Sequence, residues 1–115
     1  MIGDITVDET ALHLILHGDL DMVTVDDLRT MLDEIASGPA PAVVVDLSDV
    51  AFLDVMSLSV ILATADALSE TGRRLTVRGA SASVRRVCAL LNANDVVEPE
   101  PDPDPLIRRR APYSS

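Results

Sequence analysis

The spacing of hydrophobic positions changes several times along the chain, and each change marks an element. Residues 2–7 alternate weakly, which predicts a strand. Asp8-Glu9-Thr10 forms a turn, and residues 11–17 alternate again. In that second segment Leu12, Leu14 and Leu16 fall on one face and His13, Ile15 and His17 on the other, by the two-residue period of an extended chain. The pair predicts a β-hairpin, and Gly18-Asp19-Leu20-Asp21 breaks its pattern. Val25, Leu28, Met31, Leu32 and Ile35 then share one helical face behind a Thr24 cap. Asp26 and Asp27 sit in the first turn, where the helix dipole favours acid, and Gly38-Pro39 ends the run.

Residues 42–47 form a short apolar run, and the unbroken Val43-Val44-Val45 predicts a strand buried on both faces. After a loop at 48–54, a second helix is predicted over about residues 55–70. Its buried face carries Val55, Leu58, Ile61, Leu62, Ala65 and Leu68, and Gly72 is its C-terminal cap. Residues 75–78 form a further strand. Ser81 or Ser83 opens a third helix through Leu91, with Val84, Val87, Cys88 and Leu91 at helical spacing, and Asp95-Val96-Val97 supplies a last strand. The order β-β-α-β-α-β-α-β predicts an α/β domain over residues 1–97, a mixed sheet opened by a hairpin with helices packed against it. From Glu98 to Pro105 acids alternate with prolines, a composition that neither ladders nor coils. Residues 98–115 are therefore expected to be a disordered tail, extended and solvated through the acid–proline stretch and disordered over Leu106–Ser115, with Arg108-Arg109-Arg110 a solvated basic cluster.

Composition removes several function classes. The chain has 115 residues and a net charge of −10, all nine bases are arginine, and lysine is absent. Lysine-dependent phosphate loops and Schiff bases are excluded, and the acidic balance disfavours nucleic acid and anionic membranes. Phe52 and Tyr113 are the only aromatics, too few for a base-stacking platform. Charge is also uneven: residues 1–54 hold 12 acids and Arg29 alone, a balance of −11. An acidic surface suits solubility or a basic protein partner. Cys88, the one cysteine, is flanked by apolar residues and is expected to be a buried small hydrophobe. No leader or membrane span is visible, so a cytoplasmic location is the default expectation.

Candidate chemistry is sparse. His13 and His17, four apart on a strand, stand about 13 Å apart, too far to share a metal, and are expected to be exposed. Asp46, Asp49 and Asp54 suggest an acidic phosphoacceptor pocket, but such pockets of the response-regulator kind need a lysine. No nucleophile–base pair, glycine cradle, metal cluster or cofactor motif is present, so no enzyme activity, metal or cofactor is expected.

What is specific is a sequence of segments. Gly18-Asp19-Leu20-Asp21 with Thr24 resembles the opening of the STAS domains, the bacterial anti-sigma factor antagonists and the related domains of sulfate transporters. The likeness continues through Val45-Asp46-Leu47-Ser48-Asp49-Val50-Ala51-Phe52-Leu53-Asp54, the Gly72-Arg73-Arg74-Leu75 turn and the Ser83-Val84-Arg85-Arg86-Val87 helix, covering about residues 3–97. The resemblance implies a STAS-like fold and a non-enzymatic, protein-binding role. Its partner would be an anti-sigma factor with a serine-kinase fold, sequestered to free a sigma factor.

In that family the aspartate matching Asp54 is followed by a phosphoacceptor serine, then Ser or Thr, then Gly; here Val55, Met56 and Ser57 stand in those places. The resemblance places partner contacts at Asp19, Asp21, Thr24, Asp54, Val55, Met56 and Ser57. Asp54 has two compatible roles, helix cap and partner contact. Asp21 either fixes a turn or meets the kinase, and Thr24 is a cap. Val55 and Met56 are either first-turn packing or, if exposed, an apolar spot for a partner. Ser57, about 200° round the helix from Val55, is expected to point elsewhere. The same resemblance admits an alternative, a STAS subunit or scaffold of a larger assembly such as a lipid-transport ABC complex.

Overall fold

Alternating side chains build the sheet, and helical stripes cover one of its faces. The computed structural model describes residues 2–98. The element order is β1 (Gly3–Val7), β2 (Leu12–Leu20), α1 (Val25–Ser37), β3 (Ala42–Leu53), α2 (Val55–Ser69), β4 (Arg74–Arg78) and α3 (Ala82–Leu90). The strands lie in the order β1-β2-β3-β4, with β1 antiparallel to β2 and the rest parallel. The predicted α/β order holds, and the last strand is a single parallel bridge between Val77 and Val97. The tail expected over residues 98–115 lies outside the described residues, apart from Glu98.

Leu14, Leu16, Val43, Val45, Leu75 and Val77 pack against Leu28, Leu32, Ile35, Ile61, Ala65 and Leu68 in one core. That aliphatic face is where the period-two and helical patterns meet, and its burial is the main stabilising term. The opposite face is partly open. Val44, between two buried valines, is only half-buried there, which corrects the expectation of burial on both faces. A single helical layer covers one side, so an apolar run in β3 does not imply two covered faces. His13, Ile15, Asp46, Thr76 and Arg78 share this open side by register.

The two histidines are not simply exposed. His13 Nε2 meets Asp8 Oδ2 at 2.9 Å, and His17 lies between Asp4 Oδ2 at 2.8 Å and Asp49 Oδ2 at 3.5 Å. Burial works against the charge of Asp46. The hydrogen bonds from Ser48, with Arg78 and His13 nearby, outweigh it and hold the carboxyl below its usual value.

Two boundaries move, for one reason. β2 does not stop at His17 and β3 does not stop at Leu47, because the two continue to pair: Gly18 with Val50, Asp19 with Phe52, Leu20 with Leu53. The pairing survives through two register shifts in which β3 spends an extra residue, and Gly18 takes φ +75°, a conformation that suits glycine. Such bulges hide the two-residue period from a sequence pattern.

At the start of the parallel strands Arg73 closes the fold. Its guanidinium donates to the carbonyls of Ala40 and Ala36, each at 2.8 Å, and of Ile35 at 3.4 Å. It thus caps the open carbonyls and negative dipole end of α1. Cys88 is fully buried, as expected; burial pushes its thiol pKa up, against the opposing effect of Arg85.

Candidate functional site

The extended pairing of β2 and β3 brings two distant stretches of sequence side by side at the carboxyl ends of the strands. Asp19 lies opposite Phe52 and Leu20 opposite Leu53. The backbone N–H of Asp54 then donates to the Leu20 carbonyl at 3.0 Å, locking the head of α2 to the end of β2. The residue set expected from the sequence, Asp19, Asp21, Thr24 and residues 54–57, therefore meets at one end of the sheet.

Within the loop after β2, Asp21 and Thr24 bond to each other's backbone. Asp21 Oδ1 accepts from Val23 N at 3.0 Å and Thr24 N at 3.3 Å. Thr24 Oγ1 accepts from Asp21 N at 3.0 Å and donates to the Asp19 carbonyl at 3.0 Å. Thr24 stands at the N-cap position but makes no side-chain bond to the helix N–H groups. Its hydroxyl is turned back into the loop, which corrects the expectation of a simple cap. Asp19 is exposed, and its side chain has no hydrogen bond within the described residues.

The head of α2 is built as a true cap. Asp54 Oδ1 accepts from Ser57 N at 2.8 Å, satisfying one of the helix's free donors. Val55 and Met56, the next two residues, point outward and are 61% and 53% exposed. Val55 is thus not on the buried face where the periodicity placed it; the side of α2 turned to the core carries Ser57, Leu58, Ile61, Ala65 and Leu68. Ser57 is fully buried, and its Oγ is the one buried side-chain polar atom without a hydrogen-bond partner among the described residues. It points away from Val55, as expected.

Sequence reasoning missed three members of this surface. Met22, Val23 and Phe52 are 76%, 83% and 54% exposed, beside the loop and helix head just described. A signal was present: Met22-Val23 is an apolar pair inside an otherwise polar turn, where no core needs it. With Val55 and Met56 these three are exposed apolar residues at the carboxyl end of the parallel strands, the end at which Asp19 also lies. Among the described residues no group of His, Cys, Asp and Glu could hold a metal, and no helix is long and apolar enough to cross a membrane.

Comparison with known proteins agrees with this architecture. A family model described as "Mlab, STAS domain" matches residues 4–98. No curated protein matches the chain by sequence. Among solved structures, the anti-sigma factor antagonist SpoIIAA of Bacillus, unphosphorylated, superposes with a TM-score of 0.71 at 17% identity, over 95% of this chain and 96% of that one. An anti-sigma factor antagonist from Mycobacterium paratuberculosis gives 0.75 at 23% identity, over 93% and 91% of the two chains. A sulfate transporter family protein from Wolinella succinogenes gives 0.63 at 14%, over 80% and 79%. At such identities the likeness is one of fold. With a family model covering nearly the whole described chain, the protein belongs to the STAS domain family.

Proposed function

We propose that this STAS domain is a non-enzymatic regulatory module of the anti-sigma factor antagonist kind, sequestering an anti-sigma factor so that a sigma factor is released. The observation that carries the reading is the exposure of Met22, Val23, Phe52, Val55 and Met56 at one end of the sheet. Exposed apolar groups gathered at one place mark interaction surfaces, and an unbranched methionine adapts its shape to a partner. Val55 and Met56 anchor the partner, Asp19 steers it, Asp21 and Thr24 hold the loop, and Asp54 and Ser57 shape the helix head. The acidic balance of residues 1–54 suits a basic partner, of serine-kinase fold by the family resemblance. The fold likeness to two antagonists supports the same role.

The position of the usual phosphoacceptor is Val55, and its neighbour Met56 also lacks a hydroxyl. Ser57 has one, but it is buried beneath the helix head. The module therefore binds without a phosphate switch at this site. Binding of the host's purified kinase-fold anti-sigma factors to the parent chain and to Met56→Asp tests the reading. The substitution desolvates a charge in the interface centre and should weaken binding by at least about 30-fold. Equal affinity of the two chains would remove the helix head from the interface. After incubation with ATP and the bound kinase-fold partner, intact mass should be unchanged; a stoichiometric phosphate on Ser57 refutes the switchless reading.

The absence of a hydroxyl at 55 and 56 equally favours a second reading, a STAS subunit or scaffold in a larger assembly such as a lipid-transport ABC complex. The fold likeness to a sulfate transporter family protein is in keeping with it. Co-purification with a permease complex rather than a kinase-fold protein would select this alternative.

A further inference from the structure

The two edges of the sheet end differently. At β4 the edge is taken: Val77 N donates to the Val96 carbonyl at 2.8 Å, and the Val77 carbonyl accepts from Glu98 N at 2.9 Å. At β1 no described residue pairs on the outer side. The ladder of the hairpin decides which groups stand open there. His17 N donates to the Ile2 carbonyl at 2.7 Å and Asp8 N to the Ala11 carbonyl at 3.1 Å. Asp4 and Thr6, in step with Ile2 and Asp8, therefore bond inward to β2. By the alternation of an antiparallel pair, Gly3, Ile5 and Val7 turn their N–H and C=O groups outward. Such unpaired groups are what an extended segment takes up in strand addition.

Alongside this edge lies a groove of about 560 Å³ between residues 2–5 and α1. Ile5 and Val7 share the helix-facing side of β1 by register with Leu14 and Leu12, yet they are 45% and 72% exposed. The α1 wall of the groove carries Asp27, Met31 and Glu34, an order of acid, apolar, acid over two turns, about 10 Å. Both acids are exposed, and neither forms an ion pair among the described residues; Arg29, the one base of α1, is held by Asp26 at 3.2 Å. No basic residue lines the groove.

Open backbone, apolar surface and uncompensated acid together define the occupant. An extended segment turns every second side chain to one side at ~6.8 Å spacing, so three such positions cover the α1 wall. Charge complementarity makes the outer two basic and the middle one apolar. A second copy of β1 fits poorly, because it would bring Asp27 and Glu34 against their own counterparts.

We propose that the free edge of β1 is a docking surface separate from the head of α2, which takes as an added strand an extended segment of a partner protein carrying, at alternate positions, a basic, an apolar and a basic residue. The inference stands apart from the antagonist reading. Titration of the full chain with the capped peptide Thr-Arg-Thr-Ile-Thr-Arg-Thr tests it, read by amide hydrogen exchange. At saturation, exchange at Ile5 and Val7 should slow by about 10-fold or more, while Val45 and Val77 keep their rates. The peptide with glutamate in place of both arginines should give no protection. Asp27→Arg with Glu34→Arg should weaken binding of the arginine peptide by about 10-fold or more and turn the preference toward the glutamate peptide. Should that variant fail to fold, Asp27→Asn with Glu34→Gln keeps the side-chain shapes and should weaken the arginine peptide alone. Unchanged exchange at Ile5 and Val7 with the arginine peptide overturns the proposal, as does equal protection by the glutamate peptide. Protection that grows with protein concentration in the absence of peptide, alongside a dimer mass, overturns it in favour of a second copy.

Discussion

The two ends of the parallel strands are finished in opposite ways. At the start of the strands, polar groups are turned inward and used. Arg73 gives its guanidinium to three carbonyls around the end of α1, and Asp8 closes the hairpin by accepting from Thr10 N at 2.7 Å, Thr10 Oγ1 at 2.8 Å and Ala11 N at 2.9 Å. At the other end, apolar groups are turned outward: Met22, Val23, Phe52, Val55 and Met56 face solvent, while the Ser57 hydroxyl lies buried without a partner among the described residues. A molecule selected for stability alone would reverse the second arrangement. One end therefore holds the fold together, and the other departs from the rules of packing at the surface proposed to meet a partner.

Substitution at the start of the strands should produce the largest loss of stability. Arg73→Ala strips the carbonyls of Ile35, Ala36 and Ala40 of their shared donor. Charge-assisted bonds of this kind put the cost at about 2–3 kcal/mol, a fall in Tm of roughly 10–20 °C for a domain of this size. Met56→Asp, at the other end, should stay within about 0.5 kcal/mol of the parent because the side chain is already in water. Thermal unfolding of both variants by circular dichroism checks the contrast. Comparable losses would mean that the apolar end is structural after all.

Ser57 gives a smaller effect of opposite sign. Ser57→Ala removes a buried hydroxyl that makes no hydrogen bond among the described residues and places the best helix former in the first turn of α2. A gain of about 1 kcal/mol is expected, read as a higher urea midpoint at unchanged slope. A loss instead would mean that the hydroxyl has an unseen donor or acceptor.

The same contrast explains what could be read from the sequence. The helices and the buried stripes at Leu14, Leu16, Leu28, Leu32, Ile61 and Leu68 were legible because period and burial coincide there. The candidate site is legible only as a resemblance around Asp19, Asp21 and residues 54–57. Its bulges erase the alternation, so the paired stretch from Gly18 to Leu20 looked like a turn and Ser48 to Leu53 like a loop. Exposed hydrophobics such as Phe52 and Val55 look like core to any pattern built on burial. Arg73 was visible as part of a turn, but its bonds span 33 to 38 residues of sequence, beyond any local pattern.

The finest test of the comparison is the acid dependence of the hairpin. Hydrogen bonds from Thr10 N, then Ala11 N and the Thr10 hydroxyl, with His13 beyond, hold the Asp8 carboxyl well below the usual carboxylate range. A carboxyl depressed in the folded state contributes stability above its unfolded value and loses it as pH falls toward the folded one, because only the unfolded chain takes up the proton in between. Between pH 7 and about pH 5 the contribution of Asp8 should therefore be constant, and it should shrink as pH falls below about 4. The Tm gap between the parent and Asp8→Asn, small at neutral pH because the site is at the surface, should narrow further in acid. Carboxyl carbon shifts give the direct readout: Asp8 should remain ionised at a pH below the ordinary aspartate value of about 3.9. Should Asp8 titrate at that ordinary value, the hydrogen bonds that close the hairpin would hold its carboxylate no better than water does.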